Sequence, residues 1–200
     1  MAIKVANNQS LTAITALPSA VSGGAMTLLE TQTASSSATI SFDSDIDDTY
    51  DEYVFRFYDI HPATDDVKLT VGFRDGSTAY DATKTTTFFD AEHGEDGTGA
   101  SLAYSTGDDL AQSGSFQPVT KAIGNGNDES CTGTLHLFSP SSTTFVKLFY
   151  SRVNMYYSGD YSFDCFMAGY CNTTTAIDGV QFKMSSGNIE AGTFKIYGVS

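Results

Sequence analysis

The 200-residue sequence lacks tryptophan and is poor in basic residues, with 10 Lys and Arg against 24 Asp and Glu. The resulting formal net charge of −14 argues against binding to the phosphate backbone of nucleic acids, because such binding needs clustered Lys and Arg. The same charge would repel an anionic membrane surface. No apolar run reaches the roughly 18 residues that a membrane-spanning helix requires. The sequence therefore predicts partners other than nucleic acid or membrane.

Cysteine is also scarce. An odd number of cysteines in a chain of this length, here Cys131, Cys165 and Cys171, is not a disulfide framework. We expect reduced thiols that pack as small apolar residues, although a Cys165–Cys171 bridge closing a short loop stays open. The opening MAIKVANNQS has none of the apolar core of a secretory signal, which predicts folding in a cytoplasm.

Strand-forming residues are abundant, with 14 Phe and 11 Tyr, whereas the good helix formers Glu, Lys and Arg are few. Short runs that alternate apolar and polar residues are separated by turn sequences such as Asp75-Gly76. No alternation of strands with helical segments appears, so a parallel α/β fold is not expected. We predict an all-β fold for residues 25–200, an antiparallel, jelly-roll-like β-sandwich of about eight strands.

The predicted strands share a period of two. They are Thr39–Phe42, Tyr53–Tyr58, Val67–Phe73, Leu135–Phe138, Phe145–Tyr150, Tyr161–Met167, Val180–Met184 and Phe194–Tyr197. The segment Asp90–Asn127 is instead rich in Gly and Asp and only weakly periodic. We expect it to be a long surface excursion.

Residues 1–24 differ in composition from the rest of the chain, because Lys4 is their only charged side chain. Neither a helical nor a strand period persists in them, and we predict an extended N-terminal docking arm. Its apolar residues are too many for a solvated tail and are expected to attach the protein to a neighbour: Ile3, Val5, Leu11, Ile14, Leu17 and Val21. A flexible tail or a first strand pair of the same domain is the alternative.

Motifs for catalysis or metal binding are not evident. The acidic run Asp43–Asp48 begins like an EF-hand loop, but the Gly and Glu required at the sixth and twelfth positions are missing. The three histidines, His61, His93 and His136, lie far apart, and no HExxH, GxSxG or phosphate-loop pattern occurs. We predict no catalytic residues, no metal and no cofactor, and hence no enzyme. A looser calcium site at the acidic run stays open.

Several ordered blocks resemble virion structural proteins of marine tailed phages, particularly cyanophages. The resemblance runs from about Leu28 to the C-terminus. It is carried by Thr31–Ser37, Thr49–Tyr53, Asp59–Asp65, Asn127–Ser130, Leu135–Ser142, Ala168–Tyr170, Asn172–Thr174, Phe182–Ile189 and Tyr197-Gly198. It implies a non-enzymatic structural protein of the virion, assembled in the host cytoplasm. The implied role is a surface-exposed capsid decoration or appendage component whose partners are other capsid or tail proteins.

The resemblance also implies self-association. Homotrimers are common among such virion proteins, because a sandwich edge or face can be buried against symmetry-related copies, and we expect a homotrimer here. The segment Phe145–Tyr150 is apolar on both faces apart from Lys147. We therefore predict an oligomer contact through Phe145, Leu148, Phe149 and Tyr150. A central strand of the sandwich core is the alternative interpretation of this segment.

The alternative function is a tail-fibre module that recognises a host-surface receptor, either glycan or protein. Its binding surface would combine Asp90–Asn127 with exposed tyrosines. The tyrosines that could stack on sugar rings are Tyr156, Tyr157, Tyr161 and Tyr170. A glycan-degrading enzyme needs only two suitably spaced carboxylates, but no motif favours it.

Overall fold

The computed structural model describes residues 26–199, and these residues form β-strands and no helix. In chain order the strands are β1 (Met26–Ser37), β2 (Ile40–Phe42), β3 (Glu52–Pro62), β4 (Leu69–Arg74), β5 (Lys84–Gly94), β6 (Ser101–Tyr104), β7 (Gln117–Pro118), β8 (Cys131–Phe138), β9 (Lys147–Tyr157), β10 (Tyr161–Cys171), β11 (Gly179–Met184) and β12 (Ile189–Val199). Within this range, no helix that could cross a membrane is found. The predicted arm, with its six apolar residues, lies outside the described residues.

The strands form two antiparallel sheets of unequal size. The larger sheet has eight strands in the order β1-β12-β3-β8-β9-β10-β5-β6, and the smaller has four in the order β2-β11-β4-β7. Every pair of neighbouring strands is antiparallel. The two sheets pack as a sandwich, which confirms the predicted all-β fold. An antiparallel sheet can keep one face on the core and leave the other uncovered.

The core between the sheets is dominated by aromatic rings. Phe182 of β11 is fully buried, and its ring centroid lies 5.8 Å from that of Phe57 and 5.2 Å from that of Phe194. Phe73 of β4 packs on Phe149 of β9 with centroids 4.6 Å apart. These contacts join the small sheet to β3, β12 and β9 of the large sheet. Strand alternation places them there, because every second side chain points inward.

The predicted surface excursion Asp90–Asn127 includes strand segments and buried residues, so that prediction is wrong for those parts of the segment. Its first residues continue β5, β6 extends the large sheet, and β7 joins the small one. Val119 and Ile123 are fully buried, and the Gln117 side-chain amide donates a hydrogen bond of 2.7 Å to the Asp108 carbonyl. Long-range polar contacts of this kind leave no periodic signal in the sequence.

The three cysteines are buried free thiols. Cys165 and Cys171 lie six residues apart on β10, which separates them by about 20 Å along the strand and excludes a bridge between them. Burial raises the pKa of each of these two thiols to about 12. Burial also raises the pKa of Cys131. All three side chains therefore pack as apolar groups.

Candidate functional site: an uncovered sheet face and an end cleft

The large sheet carries apolar side chains on the face that points away from the small sheet. We call this set the outer patch. Its members are exposed or half-buried and come from five neighbouring strands: Phe89, Leu102, Tyr104, Phe138, Leu148, Tyr150 and Phe166. Those strands, β8-β9-β10-β5-β6, span about 19 Å at a spacing of 4.8 Å. A contiguous apolar surface on a folded chain marks an interaction site.

The rings of the outer patch stack on one another. Phe89 lies parallel to Phe166 with centroids 4.8 Å apart. Tyr150 stacks on His136 at 4.5 Å and packs against Phe138 at 5.7 Å. Such mutual packing holds the rings in place before a partner arrives, which reduces the ordering cost of binding.

Two shallow grooves cross the outer patch on either side of Tyr150, above the small side chain of Ala168. One has a volume of about 490 Å³ and is also lined by Leu148 and Tyr170. The other has a volume of about 280 Å³ and is also lined by Phe89. The face is thus ridged rather than flat, and complementary side chains could interdigitate with it.

Two carboxylates beside the outer patch, those of Asp164 and Glu52, have side-chain partners on the same sheet. Arg152 donates to Asp164 across β9 and β10, with Nη2–Oδ2 and Nε–Oδ1 distances of 2.7 and 3.1 Å. The His136 ring Nδ1 lies 2.6 Å from a Glu52 carboxylate oxygen. On a chain with a net charge of −14, an apolar face is where two copies approach with less repulsion than at the acidic surfaces.

The structure divides the predicted oligomer contact between the two faces of the sheet. Phe145, Leu148 and Tyr150 are 73%, 57% and 43% exposed. Phe149 is 2% exposed and packs on Phe73 of the small sheet. It therefore cannot belong to an outward contact surface, because alternate residues of β9 point in opposite directions.

A second candidate site, which we call the end cleft, opens at one end of the sandwich. Its volume is about 410 Å³, and its lining includes Lys68, Glu92, Lys121, Tyr157, Tyr161 and Phe163. The carboxylate of Asp108 is only 2% exposed and forms ion pairs with both lysines of the cleft. Lys68 forms an ion pair with it, and the Lys121 Nζ lies 3.1 Å from its Oδ2.

The ion pairs at Asp108 keep its carboxyl group ionised. Burial alone would raise the pKa of this carboxyl, but hydrogen bonds from Lys68, Ser105 and Lys121 outweigh burial and lower the pKa from its ordinary value of 3.8. For Lys121, burial disfavours the ammonium, yet Asp108 and Asp90 raise its pKa. Both groups are therefore charged at neutral pH.

Replacing Asp108 with asparagine is expected to lower the free energy of unfolding by about 2–3 kcal/mol at pH 7, because partly buried Lys68 loses its counter-ion and Lys121 keeps only that of Asp90. A depressed folded-state pKa stabilises the protein above the unfolded pKa of about 4 and ceases to do so as pH falls through the folded value. The deficit of Asp108→Asn should therefore shrink at pH 3. Urea unfolding at both pH values measures it.

The exposed acid Asp128 provides the control for that measurement, since Asp128→Asn removes the same charge without touching the lysines. Its effect should stay within about 0.5 kcal/mol of the parent, as is usual for surface substitutions. An Asp108→Asn variant as stable as Asp128→Asn at pH 7 would contradict the proposed role of the ion pairs.

Two carboxylates of the acidic run Asp43–Asp48, those of Asp43 and Asp47, are engaged by protein donors. Asp43 accepts a hydrogen bond from Tyr80 and lies 3.4 Å from the Arg74 guanidinium. Asp47 accepts from the Thr49 backbone N–H at 2.8 Å, and this bond lowers the pKa of Asp47. Among residues 26–199, no group of three His, Cys, Asp or Glu side chains is arranged to hold a metal ion.

Sequence reasoning missed the polar half of the end cleft, because Lys68, Asp108 and Lys121 are distant in sequence and follow no spacing pattern. It did name Tyr157 and Tyr161 as sugar-stacking candidates, and the structure brings both to the cleft.

Comparisons of the chain with protein-family models, with curated proteins and with solved structures find no match.

Proposed function

We propose that this chain is a non-enzymatic structural protein of a phage virion, a surface-exposed capsid decoration or appendage component attached through residues 1–24. The observation that carries the proposal is the outer patch, a broad apolar face on an otherwise acidic β-sandwich. A partner surface in an assembled particle would remove this face from water, and burial of apolar area stabilises assembly by about 25 cal/mol per Å² before ordering costs. The resemblance of the sequence to phage structural proteins indicates that this particle is a phage virion.

The proposed partner of the outer patch is another copy of the chain. In a homotrimer, the outer patches of three subunits would converge around the threefold axis and exclude water. The Arg152–Asp164 pair beside the patch is already satisfied within one subunit. Approach of a second copy therefore leaves neither charge unpaired, a condition that buried interface charges must meet.

Attachment to the particle is proposed to use a different part of the chain. Residues 1–24 precede β1, the edge strand of the large sheet, whereas the outer patch lies on strands four to eight of the same sheet. We propose that residues 1–24 serve docking to capsid or tail proteins and that the outer patch serves oligomerisation.

Immunogold electron microscopy of purified particles tests the proposal, with an antibody raised against residues 26–199 and the same antibody pre-absorbed with antigen as control. Label over the head would support capsid decoration, and label on the tail or its fibres would support an appendage component. Intact particles that carry no more label than the pre-absorbed control would overturn the virion assignment.

A further inference from the structure

The end cleft combines a wall of aromatic rings with fixed polar groups. Tyr157, Tyr161 and Phe163 contact one another edge to face or tilted, with centroid distances of 5.4 Å for Tyr157–Phe163 and 6.3 Å for the other two pairs. The two tyrosines are half-buried and pack against the hydrophobic core. Such rings present rigid apolar faces beside polar tips, which suits the C–H face of a pyranose ring.

The polar side of the cleft offers both a donor and an acceptor. Among the described residues, the Lys68 ammonium donates to Asp108 alone, which leaves two of its three N–H groups available. The Glu92 carboxylate is held by a 2.8 Å hydrogen bond from the Ser101 hydroxyl and retains free acceptor capacity. A sugar hydroxyl donates and accepts at once, so a donor and an acceptor fixed in one cleft match it.

Buried carboxylates next to the cleft hold its two lysines, Lys68 and Lys121, in position. Lys121 donates to the Ser105 hydroxyl at 2.9 Å and to Asp108, and it lies 3.5 Å from Oδ1 of Asp90. Asp90 is 4% exposed, and that oxygen accepts no hydrogen bond within the described part of the chain. Asp90 and Asp108 therefore both hold the Lys121 ammonium at the inner side of the cleft.

The charge of the cleft selects against anionic ligands. Its two lysines face three carboxylates, those of Asp90, Glu92 and Asp108, and the chain as a whole carries −14. A uronate or sulfated sugar would meet no positive excess, whereas a neutral sugar would lose nothing by Coulomb repulsion. A volume of about 410 Å³ falls in the range of small-ligand sites.

We propose that the end cleft binds a neutral pyranose sugar, stacked on Tyr157 and Tyr161 and hydrogen-bonded by Lys68 and Glu92. This inference does not depend on the virion assignment. It gives the receptor-binding alternative a defined site and a ligand class, a neutral saccharide of a cell-surface or free polysaccharide.

An array of neutral hexose oligosaccharides and their uronate-containing counterparts, probed with the full chain, tests the proposal. Retention on neutral sugars is expected, and inhibition by a soluble oligosaccharide of the same structure would show that free glycan binds too. If the soluble sugar fails to compete but the protein is still retained on the immobilised neutral glycan, the cleft binds the glycan as part of a multivalent surface. Stronger retention on the uronates, or no retention on any neutral sugar, would overturn the proposal.

Adjacent tyrosines of β9 provide a matched pair of variants, because Tyr157 faces the cleft and Tyr156 faces the opposite side of the sheet. Tyr157→Ala is expected to weaken sugar binding by about tenfold or more, and Tyr156→Ala should leave it unchanged. Lys68→Met, at a partly exposed position, provides a second test that preserves the Lys121–Asp108 pair. Folded Tyr157→Ala and Lys68→Met proteins that bind as tightly as the parent would place the sugar elsewhere.

Discussion

Replacing Phe182 with alanine is expected to lower the free energy of unfolding by about 3–5 kcal/mol, the usual cost of removing a fully buried phenylalanine. The ring lies at the centre of the aromatic core, with Phe55, Phe57 and Phe194 all within 5.8 Å between centroids. Its loss leaves a cavity that rigid strands on both sides cannot close. Chemical unfolding monitored by tyrosine fluorescence or circular dichroism measures the effect.

A phenylalanine on the other face of the large sheet provides the control. Phe89 is 40% exposed and stacks only on its neighbour Phe166 within the outer patch. Phe89→Ala should destabilise the monomer by roughly 1 kcal/mol, since little area returns to water. If both variants lost the same stability, the small sheet would not close the core as described.

Replacing Leu148 with glutamate is expected to weaken self-association of the chain by about 30-fold or more, equivalent to about 2 kcal/mol at an interface hot spot. The side chain is 57% exposed on the outer patch, so the monomer should keep its stability. In the proposed oligomer the new carboxylate would be buried without a partner, on a surface already short of positive charge. Sedimentation equilibrium of parent and variant measures the change.

Ser162→Glu is the matched control for Leu148→Glu. Ser162 is exposed on the same face of the large sheet and pairs in register with Tyr156, eight residues from Leu148 and about 27 Å along β9. It adds the same charge outside the outer patch. Equal weakening by both variants would mean that overall charge, rather than the outer patch, governs association.

The strands that the sequence predicted well are those with strong alternation. Val180, Phe182 and Met184 of β11 point inward as their period requires, and the predicted segment Tyr161–Met167 lies within β10. The strand β5 was missed because its inward positions include Lys84 and Asp90, which break the apolar pattern. Lys84 is nevertheless fully buried and donates to the Ala82 carbonyl at 2.9 Å.

The candidate surfaces were only partly predictable for a related reason. Alternation identifies which residues share a face, so Leu148 and Tyr150 could be paired from sequence. Both faces of Phe145–Tyr150 are apolar apart from Lys147, so the sequence does not tell which face the second sheet covers, and the predicted contact included Phe149 from the covered face. The end cleft depends on Lys68, Asp108 and Lys121 meeting across the fold, and no local pattern encodes that meeting.

Hydroxyl-radical footprinting of the full chain tests most directly whether the outer patch is the surface covered on assembly. The modification of each tyrosine would be compared between dilute protein and protein concentrated enough to associate. We expect strong protection of Tyr104 and Tyr150 in the concentrated sample. Tyr80, which lies beside the small sheet and donates a hydrogen bond to Asp43, should be modified equally in both samples. Associated protein in which Tyr104 and Tyr150 remain as reactive as in the monomer would contradict this expectation.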